Sequence, residues 1–138
     1  MTATIIDGKK VASLIRAECR DRVRALTRAI GKQPGLAVIL VGNNPASAVY
    51  VRNKIRACES AGVQSFSYHL PSHTGTVTLV DLIEQLNQDA NVDGVLVQLP
   101  LPPHVDMTQV LEAISPHKDV DGFHLYNVGL PLPSASRE

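Results

Sequence analysis

Tyr50 and Lys54 are the residues whose types and spacing first suggest chemistry. They lie four positions apart in an alanine-rich segment that we predict to be a helix. Residues at this spacing share one helix face, with Cβ atoms about 6 Å apart, so a phenol and an ammonium can share a hydrogen bond. Ser47 lies one turn earlier on the same face. A lysine stem lying along the surface beside an exposed tyrosine is the commoner structural explanation of such a pair.

Gln98 is the second candidate. It ends an apolar run over residues 94–97 that we predict to be a strand, and prolines follow at 100, 102 and 103. In an open parallel sheet, ligands bind just beyond the carboxyl ends of the strands. Gln98 would therefore stand at that edge, on a backbone that the proline rings stiffen. The structural alternative is a proline-rich turn with a solvated glutamine.

Residues 118–124 form the third candidate segment, with sequence Lys-Asp-Val-Asp-Gly-Phe-His. Asp119 and Asp121 are two positions apart, and Gly122 can adopt a positive φ. Taken alone, this segment is typical of an acidic turn. Its interest lies in its order along the chain after the other two.

Together the three segments resemble one family, the methylenetetrahydrofolate dehydrogenase/methenyltetrahydrofolate cyclohydrolases. The motifs that carry the resemblance are Gly42-Asn43-Asn44-Pro45-Ala46-Ser47 leading into Tyr50-x-x-x-Lys54, the run 97–102, the run 118–124 with Asn127-Val128-Gly129, and the opening Ile5-Ile6-Asp7-Gly8-Lys9. The resemblance covers roughly residues 4–129. Each motif alone is weak, but the set in this order and at this spacing is specific.

The resemblance assigns a catalytic role to three residues. Lys54 matches the lysine that assists opening and closing of the one-carbon bridge of the folate, and a lysine held by its neighbours can act as acid and base near neutral pH. Tyr50 matches the residue that stacks on the folate and holds Lys54. Gln98 matches the residue that hydrogen-bonds and tunes the lysine. We therefore expect Gln98 within hydrogen-bonding or one-water reach of Lys54.

The resemblance also assigns the substrate-binding residues. Asp121 matches the carboxylate that recognises the amino group and ring N–H of the pterin, a two-donor edge suited to a bidentate acceptor. The other residues expected to line the folate slot are Ser47, Tyr50, Val97, Gln98, Leu99 and Pro100. We expect Tyr50, Lys54, Gln98 and Asp121 to converge on one cleft at the carboxyl edge of the sheet.

By resemblance, the activity is interconversion of 5,10-methylene-, 5,10-methenyl- and 10-formyltetrahydrofolate in one-carbon metabolism and purine biosynthesis. The family uses NADP or NAD for the dehydrogenase step. The 138 residues contain neither G-x-G-x-x-G nor G-x-x-x-x-G-K-[ST], so we expect no cofactor site in this chain and no dehydrogenase activity from it alone. The alternative is a folate-binding remnant, or a truncated product, without activity. A short-chain dehydrogenase, which also has Tyr-x-x-x-Lys, is disfavoured because a glycine-rich turn is missing.

The resemblance predicts a folate-binding catalytic domain over residues 1–129 and an atypical, poorly ordered tail over 130–138. The family continues into an NAD(P)-binding Rossmann domain that is absent here, so the chain is expected to be a truncated half. Family homodimers form through that second domain, which leaves the oligomeric state of this chain open.

Composition narrows the partners. The 13 basic residues balance the 13 acidic residues, so there is no overall charge that favours nucleic acid or an anionic membrane. The first residues lack a secretory signal, which with the absence of a long apolar run predicts a cytoplasmic protein. The five histidines are scattered, so we expect no metal site. Cys19 and Cys58 are expected to be buried, reduced thiols.

Apolar periodicity predicts an α/β fold: a three-layer domain whose mostly parallel sheet is flanked by helices in βαβ units. Strands are expected at 36–41, 66–70 and 94–97, and helices at 46–61, around 79–86 and at 106–114. A long first helix, capped by Asp7, carries apolar residues at 3- and 4-residue spacing. These are Val11, Leu14, Ile15, Cys19, Val23, Leu26 and Ile30.

Overall fold

The structure, a computed structural model, describes residues 8–120. Four helices and three strands alternate along this part of the chain. In chain order they are α1 (Gly8–Ile30), β1 (Gly35–Val41), α2 (Pro45–Ala61), β2 (Gln64–Leu70), α3 (Thr76–Gln88), β3 (Gly94–Val97) and α4 (Met107–Ala113). The predicted cap Asp7, the predicted ligand Asp121, the motif residues 127–129 and the predicted tail 130–138 lie outside the described residues.

The three strands form a parallel sheet in the order β2-β1-β3. β1 is therefore central, with Gly35 opposite Gln64 on one side and Leu36 opposite Gly94 on the other. Each successive pair of strands is joined through a helix, as parallel pairing requires. Asp119 adds an isolated parallel bridge to Val95. The predicted α/β class and the central position of the 36–41 strand are confirmed.

Helices cover both faces of the sheet. On one face, α3 and α4 close the larger part of the core, in which Leu79 and Ile83 have no exposed surface. On the other face, Val51 of α2 packs with Val38, Leu40 and Leu96. Full burial of an aliphatic side chain contributes about 1.5–3 kcal/mol. Both faces of β1 are thus covered, which explains its unbroken apolar sequence.

The apolar face of α1 is largely exposed among the described residues, and the prediction that Cys19 is buried is wrong. Leu14, Ile15, Leu26 and Ile30 are 63%, 54%, 45% and 59% exposed, and Cys19 is exposed as well. The helix itself forms as predicted, because apolar spacing and local propensity favour it. The spacing does not supply a partner, however, and α1 packs mainly against α2 rather than on the sheet.

Candidate functional site

The turn after β1 fixes where α2 starts. Gly42 has φ 91°, a conformation that L-residues with a Cβ rarely adopt. The side chain of Asn44 then caps the helix by accepting from the backbone N–H of Ser47 at 3.1 Å, and Pro45 occupies the first turn. Both choices suit a helix start, since the cap satisfies a free N–H and proline has none. The site helix therefore begins at the carboxyl end of the central strand.

Lys54 lies on the part of α2 that faces the sheet. Ser47 and Val51 on this side are buried, with 3% and 6% of their surface exposed, and Lys54 and Ile55 are half-buried. Packing of Val51 against the sheet sets the distance of the helix from β3. As a result, the ammonium of Lys54 reaches toward the carboxyl end of β3 instead of extending into solvent.

Gln98 follows β3 directly and is 9% exposed. Its backbone N–H donates to the carbonyl of Ile39 at 2.9 Å, which continues the pairing between β3 and β1 by one residue. Its side-chain Nε2 donates to the carbonyl of Leu99 at 3.0 Å. Gln98 is thus held by hydrogen bonds at its backbone N–H and at its side-chain Nε2. The Leu99–Pro100 peptide bond that follows is cis.

Lys54 and Gln98 meet across the gap between α2 and the end of β3. The Nζ of Lys54 donates to Oε1 of Gln98 at 2.8 Å, so the predicted contact is confirmed. The orientation of the amide follows from its other bond, because the Leu99 carbonyl only accepts and must face Nε2. Oε1 is therefore the atom that faces the lysine.

This arrangement gives the lysine a neutral hydrogen-bond partner. Nζ donates to the neutral amide of Gln98, whereas Arg22 on α1 pairs with the carboxylate of Glu18. An amide oxygen can accept from an ammonium or, more weakly, from an amine, so the contact does not depend on one protonation form. An ammonium has three donors, and two remain for a bound molecule. The pair can therefore orient an acid–base group.

Tyr50 does not share a hydrogen bond with Lys54. Its side chain is 58% exposed, and within the described residues its hydroxyl makes no hydrogen bond. That Tyr50 holds Lys54 therefore stays a prediction. The tyrosine ring stands one turn before the lysine and is largely exposed.

The remaining predicted lining residues differ in their surroundings. Leu99 is half-buried and Pro100 exposed beside Gln98. Val97 is 2% exposed and packs in the core on the α3 side. Asp121 lies outside the described residues, so its predicted place in the cleft stays a prediction.

Other candidate chemistries have little support among residues 8–120. No group of three or more His, Cys, Asp or Glu side chains in this range is placed to hold a metal ion, and none of its helices is long and apolar enough to cross a membrane. Cys58 is half-buried, unlike Cys19. Burial, with a smaller contribution from the carboxylate of Glu59, raises the pKa of the Cys58 thiol, which disfavours it as a nucleophile.

Lys118 is a positioning residue that the sequence interpretation missed. Its Nζ donates to the carbonyls of Leu86, Asn87 and Asp89 at 3.0, 2.8 and 3.0 Å. These carbonyls lie at the carboxyl end of α3, where free acceptors and the helix dipole favour a cation. Lys118 also accepts at its carbonyl from the N–H of Val95 at 2.7 Å. The residue therefore ties the start of the 118–124 motif to α3 and β3.

Comparison with known proteins gives one consistent result. Residues 6–121 match the family described as tetrahydrofolate dehydrogenase/cyclohydrolase, catalytic domain. The chain is 60% identical over 127 residues to the bifunctional protein FolD of Magnetococcus marinus, covering 92% of this chain and 45% of that protein. The chain thus spans less than half the length of this relative.

Solved structures agree with the sequence match. The bifunctional enzyme FolD of Campylobacter jejuni superimposes with a TM-score of 0.87 at 46% identity, over 91% of this chain and 44% of that one. The Trypanosoma brucei FolD, solved with NADP and an inhibitor, gives a TM-score of 0.87 at 38% identity, over 94% of this chain and 44% of that one.

Proposed function

The chain belongs to the tetrahydrofolate dehydrogenase/cyclohydrolase family through its catalytic domain, and from this we propose that it binds tetrahydrofolate derivatives and carries the acid–base group that acts on their one-carbon bridge. The bridge is interconverted between methylene, methenyl and 10-formyl forms. The observation that carries the proposal is the 2.8 Å hydrogen bond from Lys54 Nζ to Gln98 Oε1 at the carboxyl edge of the sheet.

We assign the cyclohydrolase step to Lys54. Water adds to the carbon of the methenyl bridge, and the bond from this carbon to one folate nitrogen then breaks as that nitrogen takes up a proton. One group must remove a proton from the attacking water and return one to nitrogen, while the proton of the resulting hydroxyl passes to solvent as the formyl C=O forms. A lysine accepts a proton in its amine form and returns one as the ammonium. Gln98 orients that amine.

The substrate would lie along the carboxyl edge. The exposed ring of Tyr50 offers a flat surface for stacking on the folate, and aromatic stacking of this kind contributes about 0.5–1.5 kcal/mol. Leu99 and Pro100 would supply apolar contacts to the folate next to Gln98. The buried Val97 and Ser47 would support the backbone of β3 and α2 behind these contacts. We further propose that Asp121 accepts from the pterin.

The nicotinamide cofactor, unlike the folate, has no proposed binding site in this chain. The 138 residues do not fit a dinucleotide, because they contain no glycine-rich phosphate-binding motif. We therefore propose that NADP or NAD is bound outside these residues, and that this chain alone does not carry out hydride transfer. Cytoplasmic location and dimerisation through a second domain, as the family suggests, belong to the same proposal.

The direct test uses two proteins. Binding of 5,10-methenyltetrahydrofolate is measured by calorimetry with the 138-residue chain, and cyclohydrolase turnover is measured with a chimera in which residues 1–129 continue into the second part of the M. marinus relative. Lys54→Met should lower chimera turnover by at least about 10²-fold, the range of general acid–base catalysis. Folate binding by the chain should change little.

Arg52→Met is the matched control, since Arg52 is exposed on the same helix and its substitution also removes one positive charge. It should leave turnover unchanged. Equal turnover by the Lys54→Met chimera would remove Lys54 from the mechanism. Absence of folate binding by the chain and of turnover by the unmodified chimera would contradict the proposed function as a whole. Folate binding with no turnover in the chimera would favour the non-catalytic alternative.

A further inference from the structure

A cavity of about 280 Å³ lies between α1 and the last turn of α2. From α1, Arg20, Arg24 and Arg28 line it, and from the end of α2, Glu59 and Ser60. The cavity shares no lining residue with the Lys54–Gln98 pair, and its residues Glu59 and Ser60 lie about 8–9 Å beyond Lys54 along α2, toward the amino ends of the strands. It is therefore a separate site.

The charges that line this cavity are poorly compensated. The three arginines lie on successive turns of one helix, and like charges at this spacing destabilise a helix. Within residues 8–120, Arg24 and Arg28 have no hydrogen bond or ion pair, and Glu59 is the one carboxylate in the lining. By contrast, Arg22 of the same helix pairs with Glu18 at 2.8 Å.

Counting only partners among residues 8–120, the donors left free in the cavity are guanidinium groups. Arg20 uses Nε to donate to the carbonyl of Ser60 at 2.9 Å, which leaves its terminal nitrogens available. The hydroxyls of Thr27 and Ser60 are already donated to helix carbonyls, and the amide of Gln33 to the carbonyl of Gly62. Several guanidinium forks around one cavity match the oxygen geometry of phosphate groups.

We propose that this cavity is a binding site for a small polyanion that bears a diphosphate group. Its volume lies just below the range of about 300–1,000 Å³ that is usual for drug-sized ligands, which suits a diphosphate and its immediate substituent. Two phosphates can engage Arg24 and Arg28 together with the terminal nitrogens of Arg20. The ligand connects α1 to the end of α2, where α1 has few apolar contacts.

The probe is inorganic pyrophosphate, titrated into the 138-residue chain by calorimetry at fixed ionic strength, with a parallel thermal-unfolding series. We expect saturable binding with a dissociation constant below about 1 mM and a rise in the unfolding temperature. Orthophosphate should bind at least about tenfold more weakly, since it engages fewer guanidinium groups.

The double variant Arg24→Gln/Arg28→Gln should weaken pyrophosphate binding by at least about tenfold. Its control is Arg16→Gln/Arg22→Gln, which removes the same charge from the same helix but does not alter the cavity lining, and should change binding by less than about threefold. Arg24→Lys/Arg28→Lys keeps the charge but loses the planar guanidinium groups. Its affinity for pyrophosphate should lie between those of the two glutamine double variants. Circular dichroism checks that each variant is folded, and a single Arg24→Gln replaces the double variant if it is not.

Three results would overturn the proposal. The first is no saturable binding of pyrophosphate up to about 5 mM. The second is equal weakening by the two glutamine double variants, which would indicate a general field of the basic helix rather than a site. The third is tighter binding of a short duplex oligonucleotide than of pyrophosphate, which would assign the arginines to nucleic acid.

Discussion

Helices α1 and α3 carry similar apolar spacing but have opposite surroundings. In α3, Leu79 and Ile83 are completely buried between the sheet and α4, whereas Leu14 and Ile15 of α1 are 63% and 54% exposed. Both segments are helical, since helix formation needs only favourable spacing and propensity. Burial needs a partner surface as well: α3 packs on the sheet and α4, whereas α1 packs mainly against α2 and leaves most of its apolar face exposed. The stability of the fold should therefore depend on α3 far more than on α1.

The strongest test of this difference is the same substitution in both helices. Leu79→Ala should lower the free energy of unfolding by about 2–5 kcal/mol, because it leaves a cavity in the core. Leu14→Ala should lower it by less than about 0.5 kcal/mol. Urea unfolding followed by circular dichroism measures both. Equal losses would show that the α1 face is packed in solution.

Two glycines extend the comparison to the backbone. A Cβ on Gly35 would overlap the carbonyl oxygen of Asn91, whereas one on Gly31, at the end of α1, would meet nothing within 4 Å. Gly35→Ala should therefore destabilise by about 2–3 kcal/mol through overpacking at the start of β1. Gly31→Ala should cost about 1 kcal/mol, because only its positive φ opposes a side chain. Chemical denaturation distinguishes the two, and the reverse order would contradict the packing described for β1.

Two lysines form hydrogen bonds between distant parts of the chain, one at the end of α3 and one just after α1. Lys118 donates to three carbonyls at the end of α3, while the exposed Lys32 just after α1 donates to the carbonyl of Ala90 at 2.6 Å. Lys118→Met should lower the unfolding free energy by about 1–2 kcal/mol, and Lys32→Met by less than about 0.5 kcal/mol. Thermal unfolding at matched pH measures both. If Lys32→Met lowered the unfolding free energy as much as Lys118→Met, the conclusion that Lys118 ties the 118–124 motif to α3 would be contradicted.

The smallest effect concerns the thiols and leaves stability unchanged. Cys19 on α1 is exposed, whereas Cys58 on α2 is half-buried and has a raised pKa. Because the thiolate is the reactive form, Cys58 should be alkylated at least about tenfold more slowly than Cys19 at neutral pH. Its rate should also keep rising above the pH at which an ordinary exposed thiol levels off, near 8.5. Peptide mass spectrometry of iodoacetamide-treated protein measures both rates, and equal rates would contradict the burial of Cys58.

The sequence predicted the elements well because each has a local signature. Asn44 and Asp106 cap α2 and α4, the glycine at 62 ends α2 with φ 85°, and unbroken apolar runs mark the strands. The exposure of the α1 face and of Cys19 was not predictable, because spacing does not indicate which surface a helix meets. The predicted tail and Asp121 remain untested.

The site was predictable in part. Family resemblance indicated that Gln98 would meet Lys54, whereas spacing alone pointed to Tyr50 as the partner. A contact between residues so far apart in sequence depends on the relative placement of α2 and β3, which no local pattern contains. The hydrogen bonds from Lys118 to the end of α3 were missed for the same reason. Their one local signal was a lysine close after Ser115-Pro116, where α4 is expected to end.

The hydrogen bond between Lys54 and Gln98 also has a consequence for folding. The two residues are 44 positions apart, and β2, α3 and β3 all lie between them. Closing a loop of this length costs roughly 3 kcal/mol of chain entropy, which one hydrogen bond of about 1 kcal/mol cannot offset. The bond therefore forms only after the sheet and both flanking layers have assembled. A partly folded chain has the helix and the lysine but not the contact with Gln98, so the proposed acid–base site is completed last, together with the native state.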